Sequence, residues 1–227
     1  GDLAVSEQII PNHASPHHYN LKPSDIRRLN NADLIFQIDP NLERFLAKSL
    51  RSIPKEKVVS LARNEKLVLL PAKESHEHDH SHDDHDEEPT ELDYHLWLSP
   101  ANATIMVSTI CEALIKIEPG HKAAFTLNAS QLIDDIRKKD KEITEQLDKV
   151  KATPFLVMHD AWQYFTNHYQ LNQLGSISAQ ERLRPSAKAI SKARSTITAS
   201  KARCLVAEPS LKQRTLKVLT EDLTVST

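Results

Sequence analysis

Residues 121–150 form one unbroken helical pattern, in which Phe125, Ala129, Ile133, Ile136, Ile143, Leu147 and Val150 recur at helical spacing. At 1.5 Å per residue such a helix runs about 45 Å. Few apolar residues fall on its outer face, so it reads as a rigid strut across two lobes. A coiled-coil arm is the alternative, but about four heptads with weak a/d content fit it poorly. A strut of this length divides the chain into an N-terminal lobe over 1–118, a linker helix over 119–150 and a C-terminal lobe over 151–227.

On both sides of the strut, apolar runs of strand length alternate with helical stretches. "SEQIIP" (6–11) predicts a short strand, 22–32 a helix with Ser24 as its cap, and "DLIFQID" (33–39) a strand ended by Pro40. Residues 42–52 return to helical spacing through Leu42, Phe45, Leu46 and Leu50, and "KVVSLA" and "LVLLPA" read as further strands. Ser99 and Pro100 are suited to the cap and first position of a helix whose one face carries Met106, Ile110, Leu114 and Ile117. Beyond the strut come a strand (154–160), a helix in "AWQYFTNHYQL", the strand "QLGSIS", a helix from about Pro185 to Ala199, a strand over 202–209 and a last helix in "LKQRTLKVLTED". Alternation of this kind means parallel sheet, so the fold class is α/β, with two lobes and a cleft between them. The closing "LTVST" reads as the start of another strand, and the chain is expected to be incomplete at both ends.

Composition removes several functions. The three glycines, Gly1, Gly120 and Gly175, form neither G-x-G-x-x-G nor G-x-x-x-x-G-K-[ST], so no nucleotide phosphate is cradled. There is also no G-x-S-x-G nucleophile elbow. The Lys and Arg are scattered and aromatics make up 5%, which argues against a nucleic-acid surface. No apolar run approaches the ~20 residues of a membrane span. No signal peptide is visible, so the chain is either cytoplasmic or already processed. Cys111, on a predicted helix, and Cys204, on a predicted strand, lack the C-x-x-C spacing of a structural zinc site.

The stretch "HEHDHSHDDHDEE" (76–88) contains His76-Glu77-His78-Asp79-His80, a match to the H-E-x-x-H pattern of zinc proteases. That chemistry needs a helix to bring both imidazoles to one face. Residues 74–91 hold nine Asp/Glu, five His, no Lys or Arg, and Pro89 as the only apolar residue. Such a segment has no face to dock and its charges repel, so it reads as a solvated, disordered loop. A purely solubilising acidic loop is one option. Five His in ten residues favour a loose zinc or copper sponge.

Three other histidines share one kind of place. His17 follows the predicted strand 6–11, His95 precedes "LWLSP", and His159 ends the strand "PFLVM". Ligands of open α/β sheets bind beyond the carboxyl ends of strands. By position alone, each could equally be a solvated or hydrogen-bonded loop histidine. The segments "ASPHHYNLKPSDIRRLNNADLIF", "YHLWLSP", "FLVMHDAWQYF", "LGSIS", "RPSAKAI" and "CLVAEP" occur in this order. Together with the acidic His-rich loop they resemble the ZnuA-type zinc receptors of bacterial ABC importers, over nearly the whole chain.

The resemblance implies two α/β lobes joined by one long rigid helix, with zinc in the inter-lobe cleft. It implies a monomer in the periplasm, its signal peptide removed, that binds zinc(II) tightly as a transported ion. It would deliver that ion to an inner-membrane ABC permease without making or breaking a bond. Matched one motif at a time, it implies His17, His95 and His159 as the metal ligands. Pro16 stands where some members carry a ligating Glu, and the C-terminal Asp that serves as fourth ligand in relatives has no counterpart here. Cys204 likewise has no counterpart to the cysteine with which it pairs in some members. Related manganese receptors place a Glu at the position of His159. Asp160 is expected to be an outer-shell or capping group. The alternative is a zinc hydrolase built on the same three His, with Asp160 or Glu208 as base. A metallochaperone using only the loop is weaker still. Under the receptor reading, deleting 76–86 should leave one tight zinc equivalent and remove the weaker ones. Titration against a competing chelator reads this directly, and loss of the tight equivalent would place the primary site in the loop.

Overall fold

A computed structural model describes residues 3–12, 14–17, 19–72, 91–178, 187–207, 213–221 and 225–226. The His-rich stretch, His13, His18 and Glu208 lie outside the described residues. The chain forms two compact units, Gly1–Leu67 with Trp97–Gln146, and Val68–Leu96 with Leu147–Thr227. No described helix is long and apolar enough to cross a membrane.

In the first unit, α1 (Pro23–Asn31) leads to β1 (Ile35–Gln37), α2 (Ala47–Leu50) and β2 (Val58–Ser60). β1 and β2 pair in parallel, Ile35 opposite Val58 and Gln37 opposite Ser60. Leu29, Ile35, Leu46 and Ile53 form the core, with Ile9, Leu21, Phe45, Leu50 and Val58 packed on it. The strand expected at 6–11 does not form. Among the described residues no strand pairs with this stretch, and Pro11 has no N–H to donate to a ladder. Ile9 joins the core from an irregular segment instead. The helix expected over 42–52 is reduced to a 3-10 turn at Arg44–Leu46 followed by the single turn of α2. Just ahead of that turn, the Glu43 carboxylate accepts the N–H groups of Ile38 (2.8 Å) and Asp39 (3.0 Å), which fixes the bend after β1.

The cap of α1 also differs from expectation. Ser24 lies inside the helix behind Pro23, and Asp25 does the capping. Its carboxylate accepts the Lys22 N–H at 2.9 Å and the Tyr19 hydroxyl at 2.8 Å, and it pairs with Arg28. α3 (Pro100–Ile117) starts as the sequence predicts, with Ser99 Oγ accepting the Asn102 N–H at 3.3 Å. α4 (Lys122–Leu147) is the long helix. Its Phe125, Ala129 and Leu132 face Val107, Ile110 and Leu114 of α3 across an apolar cavity of about 270 Å³. That pairing gives its apolar stripe a partner within the unit.

In the second unit the short strands β3 (Leu70–Pro71) and β4 (Leu92–Asp93) pair antiparallel. β5 (Phe155–His159), α5 (Gln163–His168), β6 (Gln173–Ser178), α6 (Ala187–Ser200), β7 (Cys204–Val206) and α7 (Gln213–Thr220) follow in order. The sheet runs β6-β5-β7, all parallel, with β5 central. Parallel neighbours need crossovers, which α5 and α6 supply. Leu156, Met158, Ala193, Ile197, Leu205 and Leu219 make the core. Ser226 bridges to Cys204 in parallel, as the apolar end of the sequence suggested. Both cysteines are free and half-buried. Residues 68–96, expected in the first lobe, group with this unit, where Gln163 and Tyr164 of α5 bond the backbone of Pro71 and Leu70.

Asp25 yields a prediction. The Lys22 N–H, followed by Arg28 and Tyr19, holds its carboxyl at about 2 against an ordinary 3.8, although burial opposes the shift. A carboxyl whose folded pKa is depressed stabilises the fold above its unfolded pKa. The contribution should therefore be complete above about pH 4 and fade as pH falls towards 2. Asp25→Ala should cost roughly 1–2 kcal/mol at neutral pH, with the deficit shrinking in acid. Urea melts at pH 7 and pH 2.5 measure both.

Candidate metal centre

His159 is the last residue of β5, opposite Ser178 of β6 in the ladder. The strand is a continuous buried run, so its last side chain is delivered at the carboxyl edge of the sheet already shielded from water. His159 is 7% exposed. Immediately after it the Ala161 N–H donates to the His159 carbonyl at 2.9 Å, a tight turn that ends the strand and starts the approach to α5. Asp160 lies within that turn, and no side-chain hydrogen bond caps α5, whose N-cap position is Trp162.

His95 reaches the same unit from β4. The chain leaves Asp93, passes Tyr94 and enters a 3-10 turn at Leu96–Leu98 ahead of the Ser99 cap. Asp93 Oδ1 accepts twice from His95, from its backbone N–H at 2.9 Å and from ring Nδ1 at 2.7 Å. Both residues are 8% exposed. An ionised carboxylate oxygen only accepts, so this contact suits a ring whose proton sits on Nδ1. The strand bearing Asp93 is itself held, because the Tyr164 hydroxyl donates to the Asp93 carbonyl at 2.7 Å and accepts the Leu70 N–H at 2.9 Å. Burial raises the pKa of that hydroxyl, which keeps it a donor.

The rings of His95 and His159 meet edge to face, with centroids 5.1 Å apart and planes at 81°. A ring nitrogen of one lies within 4.8 Å of a ring nitrogen of the other. Two imidazole nitrogens at 2.0–2.1 Å from one tetrahedral zinc are roughly 3.3 Å apart.

His17 belongs to the first unit. It lies in a turn, half-buried, and its N–H donates to Oγ of the buried Ser15 at 3.2 Å. Two residues on, Tyr19 anchors the segment through its bond to Asp25 and an edge contact with Phe45 at 5.5 Å. Thus the second unit brings His95 and His159 together, and His17 is fixed in the first. Of the other histidines, His121 packs against Phe125 and His168 against Tyr169. Reading the sequence missed Asp93, Tyr164, Tyr19 and Asp25. Asp93 had a usable signal, a carboxylate two positions before a histidine at a strand end.

Comparison with known proteins agrees with this chemistry. The family model for ZnuA, the periplasmic component A of a zinc-uptake complex, matches residues 1–227. The high-affinity zinc uptake system protein ZnuA of Haemophilus ducreyi is 37% identical over 235 residues, covering 98% of this chain and 76% of that protein. The Zn(II)-bound ZnuA-like domain of Streptococcus pneumoniae AdcA superposes with a TM-score of 0.75 at 25% identity, over 100% of this chain and 79% of that one. A crystal structure of ZnuA matches with a TM-score of 0.75 at 20% identity, over 96% and 79% of the two chains, which speaks for the fold alone.

Tyr164→Phe removes one hydroxyl that serves two backbone groups. It should cost roughly 1–3 kcal/mol and loosen the β3–β4 pair ahead of the rest of the second unit. Amide exchange at Leu70 should accelerate more than exchange at Leu156, and equal acceleration would mean that the hydroxyl does not pin this strand pair.

Proposed function

Because the chain belongs to the ZnuA family of periplasmic zinc-uptake components, we propose that it captures zinc(II) in the periplasm on His17, His95 and His159 and hands it to the membrane permease of an ABC importer. The observation that carries the reading is the buried His95–His159 pair with the Asp93 carboxylate on Nδ1 of His95. In this reading each of the three histidines offers one ring nitrogen to the ion. Neutral imidazole suits zinc, and three of them leave a fourth position for water or a carboxylate. Zinc here is cargo. The chain binds and releases it, and no bond of a substrate is made or broken. The relatives are named for zinc uptake, and nothing in them favours the hydrolase alternative.

The ligand set predicts both selectivity and pH response. Each histidine must present an unprotonated nitrogen, so protons compete with zinc and affinity falls in acid. Manganese, which prefers oxygen and lies low in the divalent affinity order, should bind far more weakly than zinc. His159→Glu should narrow that gap by exchanging an imidazole for a carboxylate. His17→Ala, His95→Ala and His159→Ala should each weaken zinc by more than the roughly 10–100-fold that an outer-shell partner is worth. Competition titration with zinc and manganese measures all of these. Equal affinity for the two ions, or three alanine variants that bind like the wild type, would dismiss the three-histidine site.

A further inference from the structure

The contact between Asp93 and His95 does more than a turn requires. A turn at this point needs an acceptor for the His95 N–H, and Asp93 Oδ1 supplies it at 2.9 Å. The same oxygen also takes ring Nδ1 at 2.7 Å, a contact irrelevant to the backbone. Both partners are buried, so water competes weakly for either group. An isolated neutral imidazole exchanges its proton between two nitrogens, and only the tautomer with a lone pair towards the ion can bind. A fixed carboxylate on one nitrogen removes that ambiguity, orients the ring and makes the other nitrogen a stronger donor. Asp93 cannot easily turn away, because the Tyr164 hydroxyl holds its carbonyl and β3 holds its strand.

We propose that Asp93 is a positioning residue for zinc capture: it holds His95 as the Nδ1–H tautomer, so that Nε2 is the nitrogen that meets the ion. The proposal rests on the receptor reading above for its functional half. Its structural half concerns the metal-free chain and is tested without zinc.

The experiment uses the full chain in four forms, wild type, Asp93→Asn, Asp93→Ala and, for signal assignment, His95→Gln. Long-range ¹⁵N–¹H correlation of the metal-free protein reports the tautomer of each histidine, with His95→Gln identifying the His95 signals. Zinc affinity is read in parallel by chelator competition. The wild type should show His95 as the Nδ1–H tautomer. Asp93→Ala should show a mixture or the other tautomer, with zinc weakened roughly 10–100-fold. Asp93→Asn keeps an acceptor oxygen without the charge, so it should retain the tautomer and fall between the two in affinity. A wild-type His95 found with its proton on Nε2 overturns the proposal even if both variants fail to fold. Tight zinc binding by the wild type, with Asp93→Ala within about twofold of it, sinks the positioning role and leaves the receptor reading standing. A wild type that takes up no zinc sinks both.

Discussion

The parallel pairing of β5 with β6 and β7 is the constraint on which the second unit depends. Phe155–His159 is a strand with a neighbour on each side, and its Leu156 and Met158 sit in the core that α6 and α7 complete. The same five residues carry His159 to the carboxyl edge. A core position, Met158, and a proposed site position, His159, are thus adjacent along one strand. The α5 that follows then reaches back through Gln163 and Tyr164 to hold the β3–β4 pair. That pair presents Asp93, and Asp93 presents His95. Each link is a short hydrogen bond or a ladder pairing, so the position of the imidazoles is inherited from the sheet.

Three buried carboxylates organise the loops in the same way, by accepting backbone N–H groups a few residues away, but with different electrostatic results. Asp25 accepts from Lys22, Tyr19 and Arg28, and these donors outweigh burial, so its pKa falls to about 2. Glu43 accepts two backbone N–H groups at the end of β1, yet burial outweighs them and its pKa is raised, with nearby Asp39 adding to the rise. The order of effects makes the difference: at Asp25 the Lys22 N–H is the largest influence and outweighs burial, whereas at Glu43 burial is the largest and outweighs both backbone N–H groups. Asp93 adds a third use, since one of its two donors is an imidazole ring.

Those carboxylates mark the boundary of what the sequence discloses. Helix and strand periodicity revealed α3, α4 and the whole β5–α7 succession, because each has an apolar face long enough to repeat. Ser99-Pro100 announced its helix, because both residues act on the first turn alone. Residues 6–11 look like a strand by composition, but pairing is a property of two segments and no local pattern supplies the second. α2 is shorter than its apolar spacing suggests, and Glu43, ahead of it, is committed to the preceding bend. Ser24 looked like a cap for want of any way to see that Asp25 reaches back to Lys22. The histidines were conspicuous by residue type and by their place at strand ends. Asp93, Tyr164 and Tyr19 act through contacts, two of them to residues distant in the chain, and residue type alone does not reveal them.

The placement of Asp93 bears on which ion the proposed site prefers. A carboxylate bound directly to the ion would bring negative charge together with an oxygen donor, and manganese welcomes both. From behind His95, where it contacts ring Nδ1, the same carboxylate would lend its charge through a hydrogen bond while the atom facing the ion stayed nitrogen. Nitrogen donors favour zinc over manganese by the ordinary affinity order. In the proposed site charge and donor type would thereby be separated, giving electrostatic attraction for a dication without conceding selectivity. Such an arrangement also suits a cargo, because the ligand that must let go is a neutral imidazole, and the charged group stays with the protein throughout.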